Sequence, residues 1–518
     1  MKSRMLLLFA LIALSLVACS SIDDRSSGGD MEFTGWGHCF PSYDEGAECG
    51  TFYVPLDYAD QSGDKIQIYS YRYLGSADTK KGQVWLLEGG PGYSGAVLQG
   101  MLKQYAAAFP EYDFYSLDHR GVGLSTRLGC PQEDLMSDID PELMADCVDY
   151  ISAEWGDLYS FSTTYAAEDL YRLVQSQRFD GKVFIYGVSY GTYWLQRFLQ
   201  LYPDAVDGII LDSICSPGDC YLDRYDGWFN MVGQQFMDRC ADDTACNSRM
   251  TEYGADPWSV LEATVDDAGT GDLCDAFATL IDRNELRYTL AMMSATWGLR
   301  NLVPPLLYRM NRCSEDDVEA ITPFLEAFTD DSGGALRTDN LTSAYMLAQN
   351  INLSELYSGL TWDEVGDLIE SYSVTPEVSM DMIQLAEMEL WPVYGDDGYA
   401  QRWAETDVPM LMLNGNADPQ TPLEIASKTF EHFDGEQQYS FTVPYSPHGV
   451  TMNSYTEGHL NDVTETCGTD LMMQFIEDPT ARPDDSCLEN VIPIAFSGDD
   501  EVNKTLSQTY FGTEDLWD

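Results

Sequence analysis

The chain is 518 residues long, 44% hydrophobic and 12% aromatic, enough to bury a large core in one big domain with an insertion, or in two domains. Its 86 acidic residues against 27 basic ones leave a formal charge of −59, which would repel a phosphate backbone and argues against nucleic-acid binding. That excess fits either a preference for cationic substrates or a solvated acidic surface suited to a saline habitat.

The first nineteen residues, "MKSRMLLLFALIALSLVAC", pair a short basic start (Lys2, Arg4) with an apolar stretch too short for a stable membrane span. This pattern reads as an export signal. The "LVAC" ending at Cys19 resembles a bacterial lipobox whose cysteine is lipidated after cleavage; plain secretion after cleavage near Ala18 is the alternative. No later segment reaches the roughly 18 unbroken apolar residues of a membrane helix. Residues 20–38, with "SIDDRSSGGD", read as a flexible linker.

Of 13 cysteines, all but Cys19 remain for an exported chain, an even number that favours disulfides over thiols or zinc. Close spacing suggests Cys39 with Cys49, Cys130 with Cys147, Cys215 with Cys220, Cys240 with Cys246 and Cys467 with Cys487, leaving Cys274 and Cys313. The pattern calls for no metal and no cofactor.

From Cys49, "CGTFYVPLDY" and "KIQIYSYRYL" alternate as an antiparallel hairpin should. Then "QVWLLEGGPG", "YDFYSLDHRG", "KVFIYGVSYG", "VDGIILDS" and "VPMLMLNGNAD" each set an apolar run before a turn rich in glycine or aspartate. Such runs are strands buried on both faces. Helical stretches such as "YAAEDLYRLVQSQ" separate several of them, which predicts a mostly parallel sheet with function at the carboxyl ends of its strands. The interval 214–406 breaks the rhythm with "DPWSVLEATVDDA", "LRYTLAMMSATW" and "SMDMIQLAEMELW". It is too long for a crossover and reads as an inserted helical cap. The expected division is a signal over 1–19, a linker over 20–38, core over 39–213, cap over 214–406, core again over 407–487, and an irregular tail over 488–518.

Gly187-Val188-Ser189-Tyr190-Gly191 fits G-x-S-x-G between a strand and a helical run, the context of a nucleophile elbow. A serine hydroxyl needs an adjacent base. With an elbow of this kind the partners follow in the order Ser, acid, His, which removes His38 and His119. His432 lies in a polar helical stretch and reads as solvated, and no strand leads to His459. His448, in the loop after "YSFTVPYS", is the expected base. Asp418 ends the strand "MLMLNG" in a proline-restricted turn and is the expected acid, holding the imidazole tautomer. The oxyanion donors should be the backbone N–H of Tyr190 and one from "EGGPGYSG", with Gly90 preferred and Gly89 its neighbour.

Together "LLEGGPGYSG", "YSLDHRGVGLST", "GVSYGTYW", "LNGNADPQTP" and "SPHG" resemble the prolyl aminopeptidase and tripeptidyl aminopeptidase branch of the α/β-hydrolases, over roughly Cys39 to Cys487. The resemblance implies an α/β-hydrolase fold, with a mostly parallel central sheet and a helical cap inserted before the catalytic Asp. It also implies an exopeptidase acting on peptides with a free N-terminus, whose ammonium acidic cap residues hold. Where the family's glycine turn usually opens with histidine or another residue, this chain has Glu88, a carboxylate for a cation or for a structural hydrogen bond. "DHRGVGLS", with Asp118, Arg120 and Gly123, is expected to brace loops rather than touch substrate. An esterase or lipase would use the same triad. A catalytically dead binding protein on this scaffold would be expected to lack a triad member, and every role here has a candidate. Epoxide hydrolases and dehalogenases need aspartate in place of Ser189.

Overall fold

The computed structural model describes residues 26–27, 31–39, 46–131, 133, 141–329, 342–498 and 500–518. The export signal, Cys19 and the linker up to residue 25 lie outside the described residues.

Eight strands carry the architecture: β1 (Glu48–Pro55), β2 (Asp64–Tyr73), β3 (Gly82–Leu87), β4 (Tyr112–Leu117), β5 (Lys182–Ser189), β6 (Gly208–Ile214), β7 (Met410–Gly415) and β8 (Gln438–Val443). Across the sheet they lie in the order β8-β7-β6-β5-β3-β4-β2-β1. β1, β2 and β4 pair antiparallel, and every pairing from β4 to β8 is parallel. This is the α/β-hydrolase fold. Every residue of β3, β4, β6 and β7 is buried, while the outer β8 alternates. Parallel strands need crossovers, and helices on both faces account for the apolar runs.

Those helices are α1 (Gln99–Ala108), α2 (Pro141–Trp155), α3 (Thr163–Gln177) and α4 (Tyr190–Leu201). Trp85, Ile185, Ile209 and Met412 pack with α3 and α4 on one face of the sheet. Their sequence neighbours Leu86, Phe184, Ile210 and Leu411 pack on the other with α1 and a later helix over Cys467–Glu477.

Between β6 and β7 the described residues form α5 (Tyr225–Asp242), α6 (Thr244–Met250), α7 (Pro257–Asp267), α8 (Arg283–Ala295) and α9 (Val303–Arg312). They continue in α10 (Glu315–Thr329), α11 (Tyr345–Glu355), α12 (Trp362–Glu370) and α13 (Val378–Glu387). α5 to α10 have an apolar core of their own, whereas Met346 and Ile351 of α11 and Met382 of α13 join the core of the sheet. After β7 come α14 (Leu423–His432), the short α15 (Val450–Asn453), α16 (Cys467–Glu477) and α17 (Glu501–Tyr510).

Two expectations need correction. The linker reading fails from residue 26 onward where it is described: Ser26–Ser27, Glu32–Phe33 and Gly37–His38 pair onto the sheet, and Trp36 donates to Gln177 Oε1 at 2.8 Å. The segment after Cys487 is not simply irregular, since α17 and the chain end complete the core of the cap through Phe496, Phe511 and Trp517. The inward face of α17 carries Asn503 and Ser507. Asn503 Nδ2 donates to the carbonyls of Ala495 and Ser497, and Ser507 Oγ to that of Asp515, so no apolar stripe marked the helix.

Candidate active site

Strand β5 ends in a strained turn at Ser189. Ser189 holds φ 59° and ψ −129°, left-handed space that disfavours a side chain, costing roughly 1–3 kcal/mol. The glycines on either side have a steric reason. A Cβ on Gly191 would stand 2.6 Å from the carbonyl oxygen of Leu87, and one on Gly187 would stand 2.7 Å from the carbonyl carbon of Gly191. Only bare backbone lets α4 leave the strand so closely beside β3. The Thr192 hydroxyl caps the turn, donating to Ser189 O at 2.6 Å, and accepts from Cys215 N–H at 2.9 Å.

At the ends of β7 and β8 the structure brings Asp418 and His448 together. His448 Nδ1 lies 2.9 Å and 3.0 Å from the two oxygens of Asp418, which is 1% exposed. Asp418 also accepts from the N–H groups of Gln420 and Thr421 and from the Thr421 hydroxyl. Burial alone would lower the pKa of His448; the charge and hydrogen bond of Asp418 outweigh it and hold it above the ordinary value. No hydrogen bond joins the Ser189 hydroxyl to His448 among the described residues. Such contacts are often long without substrate and tighten in the complex.

The glycine turn after β3 lies against the elbow: a Cβ on Gly89 would come 2.7 Å from Ser189 Cβ and 3.1 Å from its Oγ. The N–H of Gly89 bonds the Glu88 carboxylate. Gly90 (φ 107°) is exposed, and its N–H has no acceptor among the described residues. Glu88 is half-buried beside His448, and burial raises its pKa. The inserted helices bring Tyr225 of α5 against the loop of Asp418, donating to Gln420 Oε1 at 2.9 Å, and Tyr288 of α8 near Tyr93.

One support escaped the sequence reading. Asp212, fully buried at the end of β6, accepts from the N–H of Val450 at 2.7 Å, and from the N–H and hydroxyl of Thr451 at 2.9 Å each. It also takes the Tyr186 hydroxyl at 2.8 Å. Next to it Ser213, at φ 56°, accepts from Gly449 N–H at 2.7 Å. The loop of His448 is thus bolted to β6. The available signal was an aspartate closing a fully buried strand.

"DHRGVGLS" braces loops. Arg120 forms a two-pronged ion pair with Asp169, both buried, and donates to the carbonyls of Pro55, Leu56 and Ser160. Asp118 takes the hydroxyls of Ser94 and Tyr71 and the N–H of Leu124, yet burial still lifts its pKa to about 6. His38 and His459 are exposed. His119 is buried, and burial drops its pKa to about 3. His432 is not solvated as expected: it is half-buried, stacks on Trp403 at 4.5 Å and bonds Ala404 O. All six expected disulfides are present. Among the described residues no group of three or more His, Cys, Asp or Glu is placed to hold a metal ion, and no helix is long and apolar enough to cross a membrane.

A parallel sheet with a serine elbow at β5 and a carboxylate–imidazole pair at β7 and β8 defines a serine hydrolase of the α/β-hydrolase fold. Residues 84–256 match the family model described as alpha/beta hydrolase fold, and residues 376–487 the model described as TAP-like protein. The chain is 23% identical over 461 residues to the tripeptidyl aminopeptidase of Streptomyces coelicolor, covering 82% of each chain. It is 29% identical over 192 residues to that of Streptomyces lividans, covering 33% of this chain and 36% of the relative. It is 27% identical over 304 residues to serine protease Hip1 of Mycobacterium tuberculosis, covering 50% and 55%. The sheet and the two matched models make the chain an α/β-hydrolase by fold, similar over most of its length to a tripeptidyl aminopeptidase.

Proposed function

We propose that the protein is an exported serine exopeptidase that cleaves peptides near a free N-terminus. The carrying observation is the His448–Asp418 pair at the strand ends of a sheet whose elbow presents Ser189. Ser189 Oγ attacks the scissile carbonyl while His448 Nε2 takes its proton. Asp418 fixes the Nδ1–H tautomer and stabilises the imidazolium. The N–H groups of Tyr190 and Gly90 receive the oxyanion. His448 then hands the proton to the leaving amine. Water enters and gives a proton to His448 as its oxygen attacks the acyl carbonyl; the bond to Ser189 Oγ then breaks, the acid leaves, and His448 returns the proton to Oγ. The relatives' names, tripeptidyl aminopeptidase and serine protease, support peptides as substrates. Helices α5 and α8 reach the site with Tyr225 and Tyr288, which suits a cap that limits how far a chain enters. Six disulfides support an oxidising destination, and lipidation at Cys19 would hold the enzyme at the cell envelope.

The test is release of a chromophore from proline, alanine and tripeptidyl arylamides, each free and N-blocked, and from a short-chain ester. Ser189→Ala is the control. Cleavage of free but not blocked peptides, lost in the variant, is the expected result, and the best substrate sets how many residues leave. Ester turnover alone would make the protein an esterase. Silence throughout, with no labelling of Ser189 by a serine-reactive phosphonate, would end the enzymatic reading of this site.

A further inference from the structure

In a chain with 86 acidic and 27 basic residues, a buried arginine should find a carboxylate. Four of the five buried arginines among the described residues do: Arg120 meets Asp169, Arg197 meets Glu355, Arg287 meets Glu377 and Arg309 meets Asp317. Arg300 does not. It is 2% exposed, in the short turn before α9; its Nη1 donates to Tyr445 O, and its Nε meets no acceptor. The charge it feels is that of Arg239, in the last turn of α5. Arg239 also lacks a carboxylate partner among the described residues. It is half-buried and donates from Nη2 to Asn416 O at 2.9 Å.

Their place in the fold gives this pair weight. Asn416 and Tyr445 belong to the loops that continue into Asp418 and His448, and Asn416 Oδ1 accepts the N–H of Tyr445 at 2.8 Å. The arginines therefore stand on both catalytic loops at once, from the side of the inserted helices. Tyr445 holds φ 57°, so its loop is itself constrained. Carbonyl oxygens, and the Trp297 ring 5.8 Å from the Arg300 guanidinium, supply partial negative charge only. Two desolvated guanidiniums side by side remain repulsive, and a buried donor without an acceptor calls for an ion or water. Burial and Arg239 together push the pKa of Arg300 down to about 9.

We propose that Arg239 and Arg300 form a binding site for a small monovalent anion, a halide or a carboxylate, at the seam between the inserted helices and the loops of Asp418 and His448. Planar, forked donors suit either ion, and a carboxylate takes them in parallel pairs. A bound anion cancels the repulsion and draws the two loops toward one geometry. A free halide comes from the medium; a carboxylate comes from the substrate.

The experiment uses the full chain, with sodium chloride exchanged for sodium methanesulfonate at fixed ionic strength so that general screening stays constant. A halide site gives a saturable rise in Tm, on the order of 2 °C at about a hundred times the Kd, and a parallel saturable rise in kcat/KM. Both disappear in Arg239→Gln and return partly in Arg239→Lys. A site for the substrate instead leaves Tm indifferent to chloride. Peptides ending in a free carboxylate are then preferred to their amides by about tenfold in KM, a preference absent from Arg239→Gln. Arg239 is half-exposed, so its replacement tests the site even if Arg300→Gln fails to fold. If wild type and Arg239→Gln respond identically to chloride and to the C-terminal carboxylate, there is no anion site. The Tm readout stands whether or not the enzyme proves to be a peptidase.

Discussion

A histidine largely withdrawn from water ordinarily resists protonation, and His448 departs from that rule because a fully buried carboxylate bonds its Nδ1. His448 accepts the serine proton only when neutral, so activity rises as pH passes its pKa, and a raised pKa moves that acidic limb upward. The pH profile of kcat/KM, which reports the free enzyme, should therefore place the limb above the ordinary histidine value of about 6.5. Asp418→Asn removes the attraction and leaves burial, so the limb should fall, with kcat lower by roughly 10⁴-fold through the wrong tautomer. An unmoved limb would mean that Asp418 does not hold this base. Glu88 makes a smaller contribution of the same sign, so Glu88→Gln should lower the limb slightly and leave the tautomer intact.

At the scale of elements, the elbow depends on contacts too close for any side chain. Gly191→Ala would drive a methyl to within 2.6 Å of Leu87 O, backbone that cannot swing aside. The expected cost is about 1–3 kcal/mol of stability, read from urea unfolding, with activity lost through displacement of Ser189. Asp212 is the second such point. Asp212→Ala leaves the buried N–H groups of Val450 and Thr451 without their acceptor, at about 1–3 kcal/mol each. The loop of His448 should then drift, lowering kcat roughly 10²-fold while KM changes little. The charge of Asp212 also helps raise the pKa of His448, so the limb falls in either case and stability decides: kcat lost with unfolding unchanged would deny Asp212 this positioning role. The strand-end turns that carry Ser189, Asp418 and His448 were legible because each follows an apolar strand whose turn chemistry is local. Asp212 also closes such a strand, but the loop groups it holds, Val450 and Thr451, lie more than 230 residues away and nothing local announces them. α17 was illegible for the opposite reason, because it buries Asn503 and Ser507 on its inner face and so shows no apolar period.

Over the whole molecule, the disulfides respect the division between sheet and inserted helices. Cys240–Cys246 and Cys274–Cys313 lie among the residues of the cap's own core, while Cys215–Cys220 joins the core of the sheet and Cys467–Cys487 ties α16 to the segment after it. No bridge crosses from one core to the other among the described residues, so their docking rests on packing and on contacts such as those of Arg239 and Arg300. Loop length then ranks the bridges. Cys274 and Cys313 are 39 residues apart, against 5 for Cys215 and Cys220. In the chain-entropy account the longer loop stabilises by about 4 kcal/mol and the shorter by about 2 kcal/mol. Replacing Cys274 and Cys313 together with serine should therefore weaken the cap more than the sheet. Calorimetry should show an early transition split from the main one, with activity lost at the first because Tyr225, which bonds the loop of Asp418, goes with it. A single transition lowered as a whole would instead mean that cap and sheet unfold as one unit, the seam between them being stronger than its lack of covalent links suggests.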